Sequence, residues 1–327
     1  MKIYTSKKSG QTLVQAFFTL MIIFFLICMI SNPSRFIEKS LDGISAWAFN
    51  VLPSVLPFMF FTRVLSQLDL MPKILEPLAP VSKTFFKTPP ISIYTFIMAI
   101  LSGYPVGSKM VADLYMQGKI TKQDAFKMTS FCSTSGPMFI VGAVGIGMFK
   151  SSKIGYILFL SHFLGAIING MIFRNFKLKK SQENQMLSPV QSAQNEEQKK
   201  SNFDLSSIVL DSTLAIMSVG SIIAIFFIII ECFSPIFSLM PQTISCLFEG
   251  VLEITKGCLD LATLQNKFLA ITLASFVISF GGTSTILQSL TMLSKLQMPT
   301  KLFVLQKFLH AVFSCIVTII ILLIFGF

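Results

Sequence analysis

A chain of 327 residues with 53% hydrophobic and only 13% charged side chains carries about half the charge of an ordinary soluble domain. A mean hydropathy of +0.73 excludes a water-soluble globule and allows on the order of eight membrane segments of about 20 residues each. The excess of 26 Lys plus Arg over 15 Asp plus Glu, net +11, belongs to basic cytoplasmic loops, and no basic-aromatic motif argues for nucleic acid as a partner.

The chain opens with Lys2, Lys7 and Lys8, then an apolar run from Thr12 to Ile30 that exits through Ser31-Asn32-Pro33-Ser34. That exit is not a small-x-small cleavage site, so the run predicts an uncleaved anchor within 1–40 and a cytoplasmic N-terminus. Further segments are expected near 45–66, 92–112, 131–149, 154–173, 208–233, 268–290 and 303–325. Between 236 and 267, Glu249, Glu253, Lys256 and Asp260 alternate with Leu247, Val251, Ile254 and Leu261 at helical intervals. This stretch predicts an amphipathic helix lying at the interface.

The segment 177–205 is rich in Gln, Lys, Ser, Asn and Glu, with Arg174, Lys177, Lys179, Lys180, Lys199 and Lys200 at its ends. It reads as a disordered cytoplasmic linker that divides the chain into repeats at 41–176 and 206–327. Counting crossings inward from the N-terminus and from this linker puts both ends of 92–112 on one side. That segment is then a re-entrant hairpin or a helix broken in its middle; a full span is the third possibility. Ser102-Gly103-Tyr104-Pro105-Val106-Gly107 at its centre supplies the break, since Pro105 has no amide hydrogen and two glycines free the backbone. Backbone released from a helix inside hydrocarbon must be buried in protein or line a wet cavity.

A similar pattern recurs after the linker. Ser54, between Pro53 and Pro57, precedes the first break by 48 residues, and Ser218 precedes Ser279-Phe280-Gly281-Gly282-Thr283-Ser284 by 61 residues. The first repeat begins on an inward-running span and the second on an outward-running one, so the halves are inverted, the arrangement of many secondary transporters. Lys295, Lys301 and Lys307 would fall on the outer side, against the positive-inside rule, if 268–290 is re-entrant as well rather than fully spanning. The expected class is an all-α polytopic membrane protein with broken helices in an inverted repeat.

Helix ends at such breaks present amide hydrogens and partial positive charge, suited to an anionic or carbonyl-bearing solute. The candidate binding set is Ser102, Gly103, Tyr104, Pro105, Gly107, Ser108 and Lys109 at the first break. Ser133, Thr134, Ser135 and Gly136 belong to a third kink, and Ser279, Gly281, Gly282, Thr283 and Ser284 to the last. The plainer reading of such Gly and Ser clusters is close helix packing. Lys109 and Asp113, four apart, share a helix face and form either a structural ion pair or a cavity charge. Asp113 and Glu231 are the candidates for proton or sodium coupling.

Cys28, Cys132, Cys232, Cys246, Cys258 and Cys315 stand singly, and His162 and His310 are isolated on apolar stretches. No metal site or cofactor is expected from these residues, and the histidines are assigned structural or pore-lining roles. No nucleophile–base pair, H-E-x-x-H or paired carboxylates appear, so an enzyme is the least favoured class.

The run SGYPVGSKMVADLYMQGKIT (102–121) followed by FCSTSGPMFIVGAVGIGMF (131–149) resembles the YlbJ-type sporulation integral membrane proteins, which belong with the nucleoside-recognition or Gate domain membrane proteins. In the second half Glu253-Ile254-Thr255-Lys256-Gly257 looks like the E-x-T-x-G element of that family. The resemblance implies Gate-like repeats in a multi-pass inner-membrane protein of spore formers, and in its best-known branch a carrier of dipicolinate. The reading is a secondary transporter for a small anionic or aromatic solute in the cell membrane. A nucleoside-type Gate transporter and a scaffold for spore-envelope assembly are the alternatives, and a homo-oligomer is left open.

Overall fold

The computed structural model describes residues 3–67, 74–178 and 204–326; the linker expected at 177–205 lies almost wholly outside them. The described residues are helical without a strand, and the protein is an all-α polytopic membrane protein. Five apolar helical stretches among them are long enough to cross a bilayer: Pro33–Leu65, Ser152–Phe173, Leu205–Cys232, Lys267–Met292 and Thr300–Ile324. A sixth arises if Glu76–Phe86 and Ile91–Ser102, bent by 96°, count as one.

The helices are α1 (Ile3–Ser31), α2 (Pro33–Ala46), α3 (Leu52–Gln67), α4 (Ile91–Ser102), α5 (Val106–Met116), α6 (Lys122–Cys132) and α7 (Met138–Met148, wound as a wide π-helix). They continue as α8 (Ser152–Phe173), α9 (Leu205–Cys232), α10 (Gln242–Leu252), α11 (Ile254–Thr263), α12 (Lys267–Phe280), α13 (Gly282–Met292) and α14 (Thr300–Ile324). Side-chain caps start several of them: the Thr121 hydroxyl accepts from Asp124 N at 3.0 Å, and Asn266 Oδ1 accepts from Leu269 N at 3.0 Å.

Two runs of elements repeat. From α3 to α8 the chain makes an outer helix, a broken hairpin (α4, α5), a second broken pair (α6, α7) and a long helix; from α9 to α14 it does the same. His162 in α8 and His310 in α14 are 148 residues apart, and the same offset sets Pro105 against Glu253 and Ser133 against Gly281. Packing is reciprocal: α5 packs on α13 while its counterpart α11 packs on α7, and α6 meets α14 while α12 meets α8. The long helices α8 and α14 pack on each other along the middle. A methyl on Gly165 would come within 2.2 Å of Ser314 Oγ, so the two backbones can approach there only through a glycine.

This register corrects the correspondence expected from the sequence. The Ser102–Pro105 break is the counterpart of Glu253, and the Gly281 break that of 133–137. Residues 131–149 are likewise not one span, because α6 ends at Cys132 and α7 starts only at Met138. Nor is 236–267 an interfacial helix. It is the hairpin α10–α11, whose Cys246, Ile254, Cys258 and Leu261 are buried in the same apolar core as Ile140, Val144 and Leu158. A methyl on Gly257 would lie 2.1 Å from the Gly250 Cα, so the hairpin arms cross at two glycines. Helical periodicity of polar residues cannot tell a face turned to water from one turned to an internal cavity, and here part of that face looks inward.

Candidate functional site

All four breaks meet in the middle of the protein. Gly103 ends α4 at φ +73°, ψ −169°, a conformation open essentially to glycine alone, and a methyl there would sit 2.8 Å from Gly136 N. The breaks of the second half cross in the same way: a methyl on Gly282 would lie 3.3 Å from both Gly250 O and Ile254 N. Gly281, at φ +93°, joins the halves, since its methyl would approach Tyr104 Oη to 3.1 Å.

A cavity of about 430 Å³ lies at this crossing. Its wall contains residues from the start of each helix that follows a break: Val106 of α5, Met138 of α7, Ile254 of α11 and Ser284 of α13. Four helix N-termini therefore border one space, each with a partial positive charge of about half a unit. Three of them, behind Pro105, Pro137 and Gly281, carry no side-chain cap. The fourth is capped by Glu253, whose carboxylate accepts from Lys256 N at 2.8 Å. Arg63 and Lys109 add two cations to the wall, while Phe58, Phe139 and Tyr104 supply aromatic surface.

Behind Tyr104 runs a buried polar network. Lys307 Nζ donates to Tyr104 Oη, to Ser133 O at 2.8 Å and towards His310 Nδ1 at 3.5 Å. His310 Nε2 meets the His162 carbonyl at 3.0 Å and must be the donor, which leaves its Nδ1 to accept from Lys307. His162 Nε2 accepts from Ser135 N at 3.0 Å, so the ring hydrogen sits on Nδ1 and is shared with Ser279 Oγ at 2.8 Å. Both rings are thus neutral, with tautomers assigned by their partners. The network ties the third kink and α12 to the two central helices.

Residues 48–152 match the Gate family, described as nucleoside recognition. Over 94% of its length, and 82% of the relative's, it is 26% identical to the sporulation integral membrane protein YlbJ of Bacillus subtilis (strain 168). No solved structure matches it. The matched residues span the breaks at 103–105 and 133–137 and half the cavity wall, and their setting is a multi-pass membrane protein.

Of the residues singled out by sequence, Ser102, Gly103, Tyr104, Pro105, Lys109, Ser135 and Gly136, all within 48–152, line the cavity, as does Ser284 outside that range. The others stand behind the wall. Gly107 packs on the Cys132 carbonyl, Ser108 lies 3.5 Å from Ser133 Oγ, and Thr134 is buried. Ser133 and Ser279 belong to the Lys307–histidine network; Gly281 and Gly282 form the crossing, and Thr283 donates to Val251 O at 3.0 Å.

The two coupling candidates are elsewhere. Asp113 is exposed and makes no ion pair with Lys109. Glu231 bonds to Arg35 and Ser234, pinning the end of α9 to α2. Sequence reasoning missed Glu253 and Lys307 as site residues. Glu253, 3% exposed, looked like one more charge on an amphipathic face. Lys307, 2% exposed, looked like a charge at the start of a span. The lysine's position five residues inside an apolar run was the available sign.

Proposed function

We propose that this protein is a secondary carrier for a small anionic, aromatic solute of the dipicolinate type. The observation that carries the reading is the convergence of four helix N-termini, two cations and three aromatic rings on one cavity at the crossing of the breaks. Such a wall favours a planar anion by charge and by stacking area, whereas a nucleoside, being neutral, would leave the helix-end charge unused. The halves are read as inverted Gate-like repeats, with the N-terminus and the 177–205 linker in the cytoplasm. Alternating access would then come from the broken pairs of one half moving against those of the other.

Coupling to a proton or sodium gradient falls to Glu253, the sole carboxylate among the cavity-lining residues. The test is uptake into proteoliposomes of dipicolinate, nucleosides and aliphatic dicarboxylates, with and without a proton or sodium gradient. Saturable dipicolinate uptake that excess nucleoside does not inhibit is the expected result. Nucleoside uptake without anion uptake, or no uptake of any solute, overturns the reading.

A further inference from the structure

Among the described residues, the buried amine of Lys307 has no anion beside it. Its three partners, Tyr104 Oη, Ser133 O and His310 Nδ1, are neutral, and the phenol can donate as well as accept. No carboxylate pairs with it among the described residues, although it is 2% exposed. An ammonium held this deep in low-dielectric surroundings is costly without a counter-charge, and ionisable groups inside membrane proteins are seldom kept for packing.

The repeat gives an internal control. At the offset of 148 that separates His162 from His310, Lys307 corresponds to Phe159 and Tyr104 to Leu252. Phe159 packs against the apolar core in the first half. The equivalent positions of the repeat therefore carry two apolar side chains, where Lys307 of the second half meets Tyr104 of the first. What distinguishes the Lys307–Tyr104 contact is an amine one side chain away from the cavity. Tyr104 lines the cavity, binds Lys307 through its hydroxyl and has its ring centroid 4.8 Å from Nζ. It sits in the non-helical backbone between α4 and α5, so its side chain is not locked into a helix face.

We infer that Lys307 is the receptor for a carboxylate of the solute, and that Tyr104 is the cover that yields its place on Nζ when the carboxylate arrives. This rests on the reading of the cavity as an anion site and makes it specific: the deep amine, paired as ammonium with the arriving carboxylate, selects the charge, while Arg63 and Lys109 lie on the wall. Ser133 O and His310 Nδ1 would hold the ammonium in place while one of its three hydrogens changes partner from phenol to carboxylate. No covalent step is involved.

The test is equilibrium binding to the full chain in lipid nanodiscs, with three probes of one shape: pyridine-2,6-dicarboxylate, its monoanion analogue pyridine-2-carboxylate, and the neutral pyridine-2,6-dicarboxamide. Wild type is expected to prefer the dianion over the diamide by about tenfold or more, the scale of one charge-assisted hydrogen bond. Lys307→Met should lower that ratio severalfold with the diamide's affinity retained, and Lys307→Arg should keep most of it. Tyr104→Phe, which removes the competing hydroxyl, should bind the dianion at least as tightly as wild type. A folded Lys307→Met that keeps the wild-type ratio overturns the inference, as does loss of the ratio in Lys109→Met instead. Should Lys307→Met not fold, Tyr104→Phe decides: a weakened dianion with an unchanged diamide overturns it. Absence of binding of any of the three probes to wild type fails the carrier reading itself, and is distinguishable from these results.

Discussion

His162 and His310 face each other with ring centroids 4.6 Å apart and planes at 39°, each at the same distance from the start of its own long helix. They are the two copies of one position in the repeat, and they have diverged in their partners. His162 serves the breaks, through Ser135 N and Ser279 Oγ; His310 serves Lys307 and the His162 carbonyl.

This division sets the cost of removing the first ring. His162→Ala strands a buried amide and a buried hydroxyl, each at about 1–3 kcal/mol, so a clear fall in the melting temperature of the detergent-solubilised protein is expected. Ser279→Ala alone should cost less, because His162 keeps its bond to Ser135. The double variant should lose less than the sum of the two single losses, since they share one hydrogen bond. Strict additivity would show that the His162–Ser279 bond contributes nothing to stability.

Gly103 and Gly281 are expected to tolerate no side chain, for two separable reasons. Their φ angles, +73° and +93°, cost a non-glycine residue about 1–3 kcal/mol. A methyl on Gly103 also meets backbone, whereas one on Gly281 meets the ends of Thr285 and Tyr104. Gly103→Ala should therefore lower the melting temperature more than Gly281→Ala. Gly103→Val should abolish uptake in proteoliposomes while membrane insertion, followed by extraction and blotting, persists. Wild-type uptake by Gly103→Val would remove the crossing of the breaks from the mechanism.

The breaks were the most legible part of the sequence. Gly-Tyr-Pro and Gly-Gly inside apolar runs announce a helix that cannot continue, whatever surrounds it. Long spans such as Ser152–Phe173 and Thr300–Ile324 were equally plain, because hydropathy reports burial in lipid directly. What remained hidden was pairing. The register that aligns Pro105 with Glu253 leaves no shared residue at those positions, so only packing reveals it. Glu253 itself breaks its helix by turning to φ −143°, ψ 124° and capping the next one, without any glycine or proline to mark the place. Lys307 was legible as a charge and illegible as a site, because its partners come from 104, 133 and 310.

Glu253 is expected to separate a capping role from a charge role. As the cap of α11 its oxygen satisfies Lys256 N, and Glu253→Ala should cost about 1 kcal/mol for the lost cap, read as a lower melting temperature. Glu253→Gln keeps an acceptor oxygen and should melt close to wild type. Equal destabilisation by both changes would mean that the carboxylate's charge, rather than its hydrogen bond, holds the α10–α11 hairpin.

The same pair of variants decides where the coupling ion binds. Asp113 is exposed and Glu231 is committed to Arg35, so neither reaches the cavity. Asp113→Asn and Glu231→Gln are expected to retain gradient-driven uptake within about twofold, the scale of ordinary substitutions away from a site. Glu253→Gln should keep exchange of solute between equal concentrations on both sides of the vesicle, because the wall still has its helix ends and cations. It should lose accumulation driven by a proton or sodium gradient, because the group that takes up the driving ion is gone. Accumulation by Glu253→Gln at the wild-type level, with loss in Asp113→Asn, would move the coupling site out of the cavity.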